Sequence, residues 1–272
     1  MSFLADVLSF LDSKMTTPTL YGPFHIAFLL LSVFAGFVIS KHCLKKGEAS
    51  IRRFLLIETV IVILLEIYKQ INYTFEVENG QILADYQWYA FPFQFCCTPM
   101  YIGMLAVLTW KKPLHHHFCA YSATFSLFAG ISVMLYPASV FVETIGVNIE
   151  TMIAHGGMIT VGMVLLRTGY VKISYKTVLK ALPVFMVLVL IAMGMNEIAY
   201  RSGLLETETF NMFFISPYCS PELPVFSLVQ PYVPFLCSVV IYIVGFTLAS
   251  GIILALCKLL RLEPAKSKVT VE

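Results

Sequence analysis

Seven apolar runs recur along the chain, each near the roughly 20 residues that a helix needs to cross a hydrocarbon core. They are Tyr21–Ser40, Phe54–Gln70, Tyr89–Trp110, Leu114–Tyr136, Ile149–Leu166, Val178–Tyr200 and Tyr232–Leu260. The last is long enough to tilt or to project past the bilayer. The chain is 58% hydrophobic and 12% charged, against roughly 25% charged residues in soluble domains. The expected fold class is therefore all-α, a single polytopic membrane bundle of seven transmembrane helices over residues 1–272. No basic n-region precedes an apolar stretch at the N-terminus, and Asp6 and Asp12 interrupt it, so no cleavable signal peptide is expected.

The connections carry the orientation. Lys41, Lys45, Lys46, Arg52 and Arg53 fall between runs one and two. Lys111 and Lys112 fall between three and four, and Arg167, Lys172 and Lys176 between five and six. Lys258, Arg261, Lys266 and Lys268 follow run seven. The alternate connections are acidic: Glu76, Glu78 and Asp85, then Glu143, then Glu206, Glu208 and Glu222. By the positive-inside rule the N-terminus lies outside and the C-terminus is cytoplasmic. The connection Arg201–Pro231 is long and rich in proline and aromatics, including Pro217, Pro221, Pro224 and Tyr218. A loop of that length packs against something or covers a site, and here it is expected to cap the outer mouth. The net charge of +2 says nothing about partners, and with no basic patch visible no nucleic-acid partner is expected. Nothing in the sequence assigns an oligomeric state.

Orientation gives each polar residue a depth. His25 comes early in run one; Glu66, Lys69 and Gln70 late in run two; Gln94, Cys96, Cys97 and Thr98 early in run three. His155 comes early in run five, Asn196 and Glu197 late in run six, and Asn211 in the long outer loop. All of these fall in the outer leaflet, whereas Glu58 lies nearer the cytoplasmic side. Ionisable groups within spans face a cavity or one another. A pair such as Glu66–Lys69 can also satisfy itself across i, i+3 and act only as helix glue.

The stretch Phe91-Pro92-Phe93-Gln94-Phe95-Cys96-Cys97-Thr98-Pro99 is the most unusual. Pro99 cannot donate a backbone hydrogen bond, which leaves the Phe95 carbonyl without its usual helical partner beside two thiols. Seven cysteines with no CxxC pair give neither a disulfide framework nor a zinc site. A thiolate becomes a nucleophile beside a base, and His155, followed by Gly156-Gly157, is the candidate. Helical spacing puts Cys97 on the face of Gln94, so Cys97 is expected to point inward rather than Cys96. Adjacent His115, His116 and His117 point different ways on a helix and read as an interfacial anchor, not a metal site.

These residues carry a resemblance to the YwaF-like family of multi-span membrane proteins, an animal member of which is described as a cysteine-dependent phospholipid acyltransferase. It rests on Tyr21-Gly22-Pro23-Phe24-His25, Glu66-Ile67-Tyr68-Lys69, Pro92-Phe93-Gln94, Glu150…His155-Gly156, Asn211-Met212 and Leu260-Arg261-Leu262-Glu263-Pro264-Ala265-Lys266. The family's histidine matches His155. Its Pro-Cys-His segment aligns with Pro92-Phe93-Gln94, so Phe93 stands at that nucleophile position. The Pro-x-His-x-Cys version of bacterial members matches Cys96, with Gln94 in place of the histidine. The resemblance implies acyl transfer through a thioester on Cys97 or Cys96, with His155 as base. Glu66 or Asn196 would orient it, Gln94 is a candidate oxyanion donor, and His25 and Asn211 are further candidates for binding or orienting substrate. Membrane phospholipids would be donor and acceptor, in a bacterial plasma membrane, with no cofactor and no metal. The alternative is a member without that chemistry, either a transporter of a small polar solute, with Glu58 extending a polar path, or a receptor-like binding protein.

Overall fold

The computed structural model describes residues 2–137, 140–203, 205, 209–220, 223 and 226–262. Glu206, Glu208, Glu222, Pro221, Pro224 and the tail from Glu263 lie outside them. Apart from one short hairpin, the regular structure is helical. The helices are α1 (Phe3–Leu11), α2 (Pro23–Lys46), α3 (Glu48–Asn72), α4 (Thr98–Leu108), α5 (Pro113–Tyr121), α6 (Leu127–Leu135), α7 (Ile145–Arg167), α8 (Tyr175–Ser202) and α9 (Phe235–Leu259). A π turn, Ser122–Ser126, joins α5 to α6 in one rod. Among the described residues five helical rods are long and apolar enough to cross a membrane: Pro23–Lys46, Pro113–Leu135, Ile145–Arg167, Tyr175–Ser202 and Phe235–Leu259. The chain is an integral membrane protein, and its outward faces agree, with Leu30, Leu31 and Phe34 of α2, Leu190 of α8 and Leu248 of α9 all exposed.

Two expected spans differ from those five. The 25-residue α3 carries Arg52, Arg53, Glu58, Glu66 and Lys69 along its length. The run Tyr89–Trp110 is not one helix: continuous helical structure is confined to Phe95–Leu108, about 21 Å at 1.5 Å per residue. The two prolines account for this. Pro92 holds Phe91 extended (φ −50°, ψ 135°), and Pro99 is tolerated only because it sits in the first turn of α4. The Phe95 carbonyl left by Pro99 is met by the Thr98 hydroxyl at 2.8 Å, which in turn accepts from Tyr121 at 2.8 Å.

Local chemistry ends the other elements. Gly47, with φ +81°, lets α2 turn directly into α3. Ser174 caps α8 through the Lys176 amide, and left-handed Gly203 closes it. The hairpin β1 (Phe75–Glu78) and β2 (Gln81–Ala84) pairs antiparallel around Asn79-Gly80, both with positive φ, the dipeptide of a tight hairpin turn.

The helix α7 is the axis of the bundle, buried along most of its length and packed against α2, α3, α6 and the π turn. An aromatic core of Phe95, Phe125, Phe185, Phe213 and Phe246 fills the space beside it. The three histidines do not form one interfacial anchor. His115 is buried, its Nδ1 on the Ala106 carbonyl at 2.7 Å and its Nε2 on the Tyr170 hydroxyl at 2.6 Å. Burial raises the pKa of that phenol, so it stays protonated and donates.

Candidate functional site

The end of α3, the start of α4 and the first half of α7 meet at one end of the bundle. Gln94 has extended backbone (φ −69°, ψ 160°) and precedes a 3₁₀ turn, Phe95–Cys97, that leads into α4. Tight winding turns the two adjacent thiols to different neighbours. Cys96 lies beside His155 and its neighbour Cys97. Cys97 lies 3.9 Å from the Lys69 ammonium. Both are free thiols, Cys97 buried and Cys96 partly so.

The imidazole is set up to accept a proton. His155 Nδ1 lies 2.8 Å from the Thr151 carbonyl oxygen. A carbonyl only accepts, so Nδ1 carries the hydrogen and the neutral ring presents a lone pair at Nε2. The backbone thus does for this ring what a carboxylate does elsewhere, holding its tautomer and its orientation.

Beside the thiols lies a buried ion cluster. Lys69 Nζ reaches Glu66 Oε2 at 2.7 Å and Glu150 Oε1 at 3.6 Å. Glu66 Oε1 accepts from Gln70 Nε2 at 2.8 Å, which also donates to the Ala90 carbonyl at 2.9 Å. Glu150 Oε2 accepts from Thr151 at 3.2 Å. Tyr86 donates to Gln70 Oε1 at 2.7 Å, and burial raises the pKa of that phenol, which keeps it a donor. Two carboxylates sharing one ammonium leave a net negative site, tolerable at depth only because each charge is paired and hydrogen-bonded.

An open groove of about 360 Å³ runs along the outside of this cluster, lined by Ile63, Glu66, Ile67, Gln70, Pro92 and Met100 among others. It is within the size range of small-molecule sites. Ile63 and Met100 belong to the same apolar cluster as Cys96 and Cys97, so the groove and the thiols share a wall.

The structure brings together Cys96, Cys97, His155 and Glu66 of the expected residues, and reverses the expected order of the thiols. Cys96, not Cys97, faces the histidine. The helical-face argument needed an α-helix from Gln94, and the chain there is a cap and a 3₁₀ turn. Lys69, expected only as a member of the outer polar cluster or as the i, i+3 partner of Glu66, and Glu150, expected only as part of the Glu150…His155 motif, both join the site.

Five expected residues go elsewhere. Gln94 is not free to face an oxyanion: its Nε2 donates to the Asn211 carbonyl at 3.2 Å and its Oε1 accepts from the Phe213 amide at 3.3 Å. Asn196 holds both backbone groups of Met212, at 3.0 Å and 2.8 Å. Asn211 accepts from the Ser216 amide at 2.9 Å. Together these three amides fasten residues 211–216 into the bundle. His25 is remote from the thiols. Its Nδ1 accepts from the Tyr21 amide at 3.0 Å, so Nε2 donates to the Met134 carbonyl at 2.8 Å, and the ring staples α2 to α6. Glu197 is at the surface, bonded to Arg201 and Tyr218.

The TMEM164 family matches residues 20–258, nearly the whole chain, and the protein belongs to that family. No curated protein matches the chain, and no solved structure does.

Proposed function

We propose that this TMEM164-family protein is a lipid-handling membrane enzyme that moves an acyl chain between phospholipids through a thioester on Cys96. The observation that carries the reading is His155 beside Cys96, its Nδ1 held by the Thr151 carbonyl so that Nε2 is the nitrogen left to accept a proton, next to a groove that shares Ile63 and Met100 with the apolar cluster of the thiols. The likeness to the YwaF-like proteins belongs to the same reading.

In the first half-reaction His155 Nε2 takes the Cys96 proton, and the sulfur attacks the ester carbonyl. The C–O bond breaks, and the imidazolium returns its proton to the departing lysolipid oxygen. In the second half-reaction the hydroxyl of an acceptor lysolipid gives its proton to His155 and attacks the thioester, and the sulfur leaves and is reprotonated. Lys69 supplies positive field beside both thiols. The short α4 strengthens this: the sulfurs sit at its N-terminus, where the helix dipole favours negative charge. Glu66 and Glu150 are positioning residues that hold Lys69.

In this reading α3, about 37 Å long, and the segment Phe95–Leu108 complete seven crossings, and the basic connections face the cytoplasm. The site then opens to the outer leaflet of a bacterial plasma membrane, with the described residues 209–220 as its cap. The test is acyl exchange between a labelled phospholipid and a lysophospholipid in proteoliposomes. Cys96→Ala and His155→Ala are each expected to lower the rate by at least about 100-fold. Undiminished exchange in the Cys96→Ala/Cys97→Ala double variant overturns the reading.

A further inference from the structure

A second polar site lies deeper in the bundle, and acyl transfer gives it no task. Glu58 of α3 has its Oε1 buried with no hydrogen-bond partner. The oxygen fills the notch left by Gly157 of α7, where a Cβ would come within 1.9 Å of it. The carboxyl lines a cavity of about 30 Å³ enclosed by α3, α4, the π turn and α7. Thr59, Ser122 and Ser126 line the same cavity, and every other lining residue is apolar, glycine or proline. No lysine, arginine or histidine reaches it.

A carboxylate alone in hydrocarbon must acquire a compensating charge or be neutralised. A proton would suffice, yet a proton requires neither a cavity nor three hydroxyls. The volume is room for about two water-sized particles, at 10–15 Å³ each. The wider winding of the π turn brings Ser122 and Ser126 to one wall, and π insertions of this kind recur at functional sites. Ser122 already spends its hydrogen on the Phe118 carbonyl at 3.1 Å, so its lone pairs are what it offers the cavity. The donor set is all oxygen, with a single negative charge, which suits a hard monovalent cation. A divalent ion would leave uncompensated positive charge, and magnesium sheds water reluctantly.

We infer that Glu58, Thr59, Ser122 and Ser126 form a binding site for one sodium ion with a water. The site is independent of acyl transfer. Pro99, three residues beyond Cys96, and Ala154, beside His155, belong to its wall, so the ion would brace the floor beneath the thiols.

The experiment uses the full chain in nanodiscs of zwitterionic phospholipid, at one pH and constant total chloride. It reads retention of ²²Na⁺ and the unfolding Tm in sodium, potassium and choline chlorides. The expected result is one displaceable sodium per chain and a Tm that rises with sodium concentration, as for a ligand that binds only the folded state. Glu58→Gln is expected to weaken sodium binding roughly 100-fold or more, and Ser126→Ala about tenfold. Should Glu58→Gln fail to fold, the wild-type retention and the Ser126→Ala variant still decide. No retention above that of empty nanodiscs, with the same Tm in sodium and choline, overturns the inference and leaves Glu58 a neutral acid. Equal shifts in potassium and sodium overturn it as well.

Discussion

Replacing Asn196 by alanine removes the side chain that meets both backbone groups of Met212. Asn196 is 1% exposed and Met212 fully buried, so in Asn196→Ala the amide loses its partner at 2.8 Å and the carbonyl loses its partner at 3.0 Å while keeping the Ile215 amide at 3.5 Å. The orphaned amide costs roughly 1–3 kcal/mol, and the carbonyl's lost bond about 1 kcal/mol more. The next two residues add to the tendency to open: Phe213 and Phe214 have φ of +60° and +56°, a conformation that is strained for bulky side chains. With some relaxation, the local stability of residues 211–215 is expected to fall by about 2–4 kcal/mol. At 1.4 kcal/mol per factor of ten, that is amide exchange roughly 30- to 700-fold faster. Hydrogen–deuterium exchange in nanodiscs measures it directly, with the α7 amides as an internal reference. Exchange at Met212–Ile215 within about threefold of wild type would refute the clamp and the reasoning from its two bonds.

Lys69→Met strips the shared cation from two buried carboxylates, and should destabilise the fold by roughly 3–5 kcal/mol, read as a lower Tm that a further Glu150→Gln change partly restores. His25→Ala should lower stability by about 1–3 kcal/mol, while exchange activity per folded molecule stays within about twofold of wild type; a specific loss of activity would return His25 to the site. Met100→Trp should crowd the groove wall and slow acyl exchange while leaving Cys96 reactive to a small thiol reagent; unchanged exchange would show that the groove is not the lipid's route.

The parts of this protein that follow from side-chain solvation were legible before any coordinates. Apolar runs at Tyr21–Ser40, Ile149–Leu166 and Val178–Tyr200 became long helices because hydrocarbon leaves a backbone little else to do. Depth put Glu66, Cys96, Cys97 and His155 in one leaflet, but it put His25 and Asn196 there too, so depth did not decide which of them meet. What depended on local winding did not follow. The order of the thiols turned on a 3₁₀ turn after an extended Gln94, and the break in Tyr89–Trp110 turned on where Pro92 and Pro99 fell relative to a helix start. Asn79-Gly80 is a hairpin signal in the sequence itself, and the hairpin turns there. Hydrogen-bond partners supplied by distant backbone, such as Met212 for Asn196 and Met134 for His25, leave no trace in spacing. For that reason structural staples and site residues looked alike as isolated polar letters in apolar runs.

The most direct measurement is intact-protein mass spectrometry of the purified chain after incubation with a phospholipid of defined acyl chains, quenched in acid. The account predicts one acyl adduct, labile to hydroxylamine and mapped to Cys96, that persists in Cys97→Ser and disappears in Cys96→Ser. Absence of any adduct while acyl exchange proceeds, or an adduct on Cys97 that survives Cys96→Ser, would contradict it.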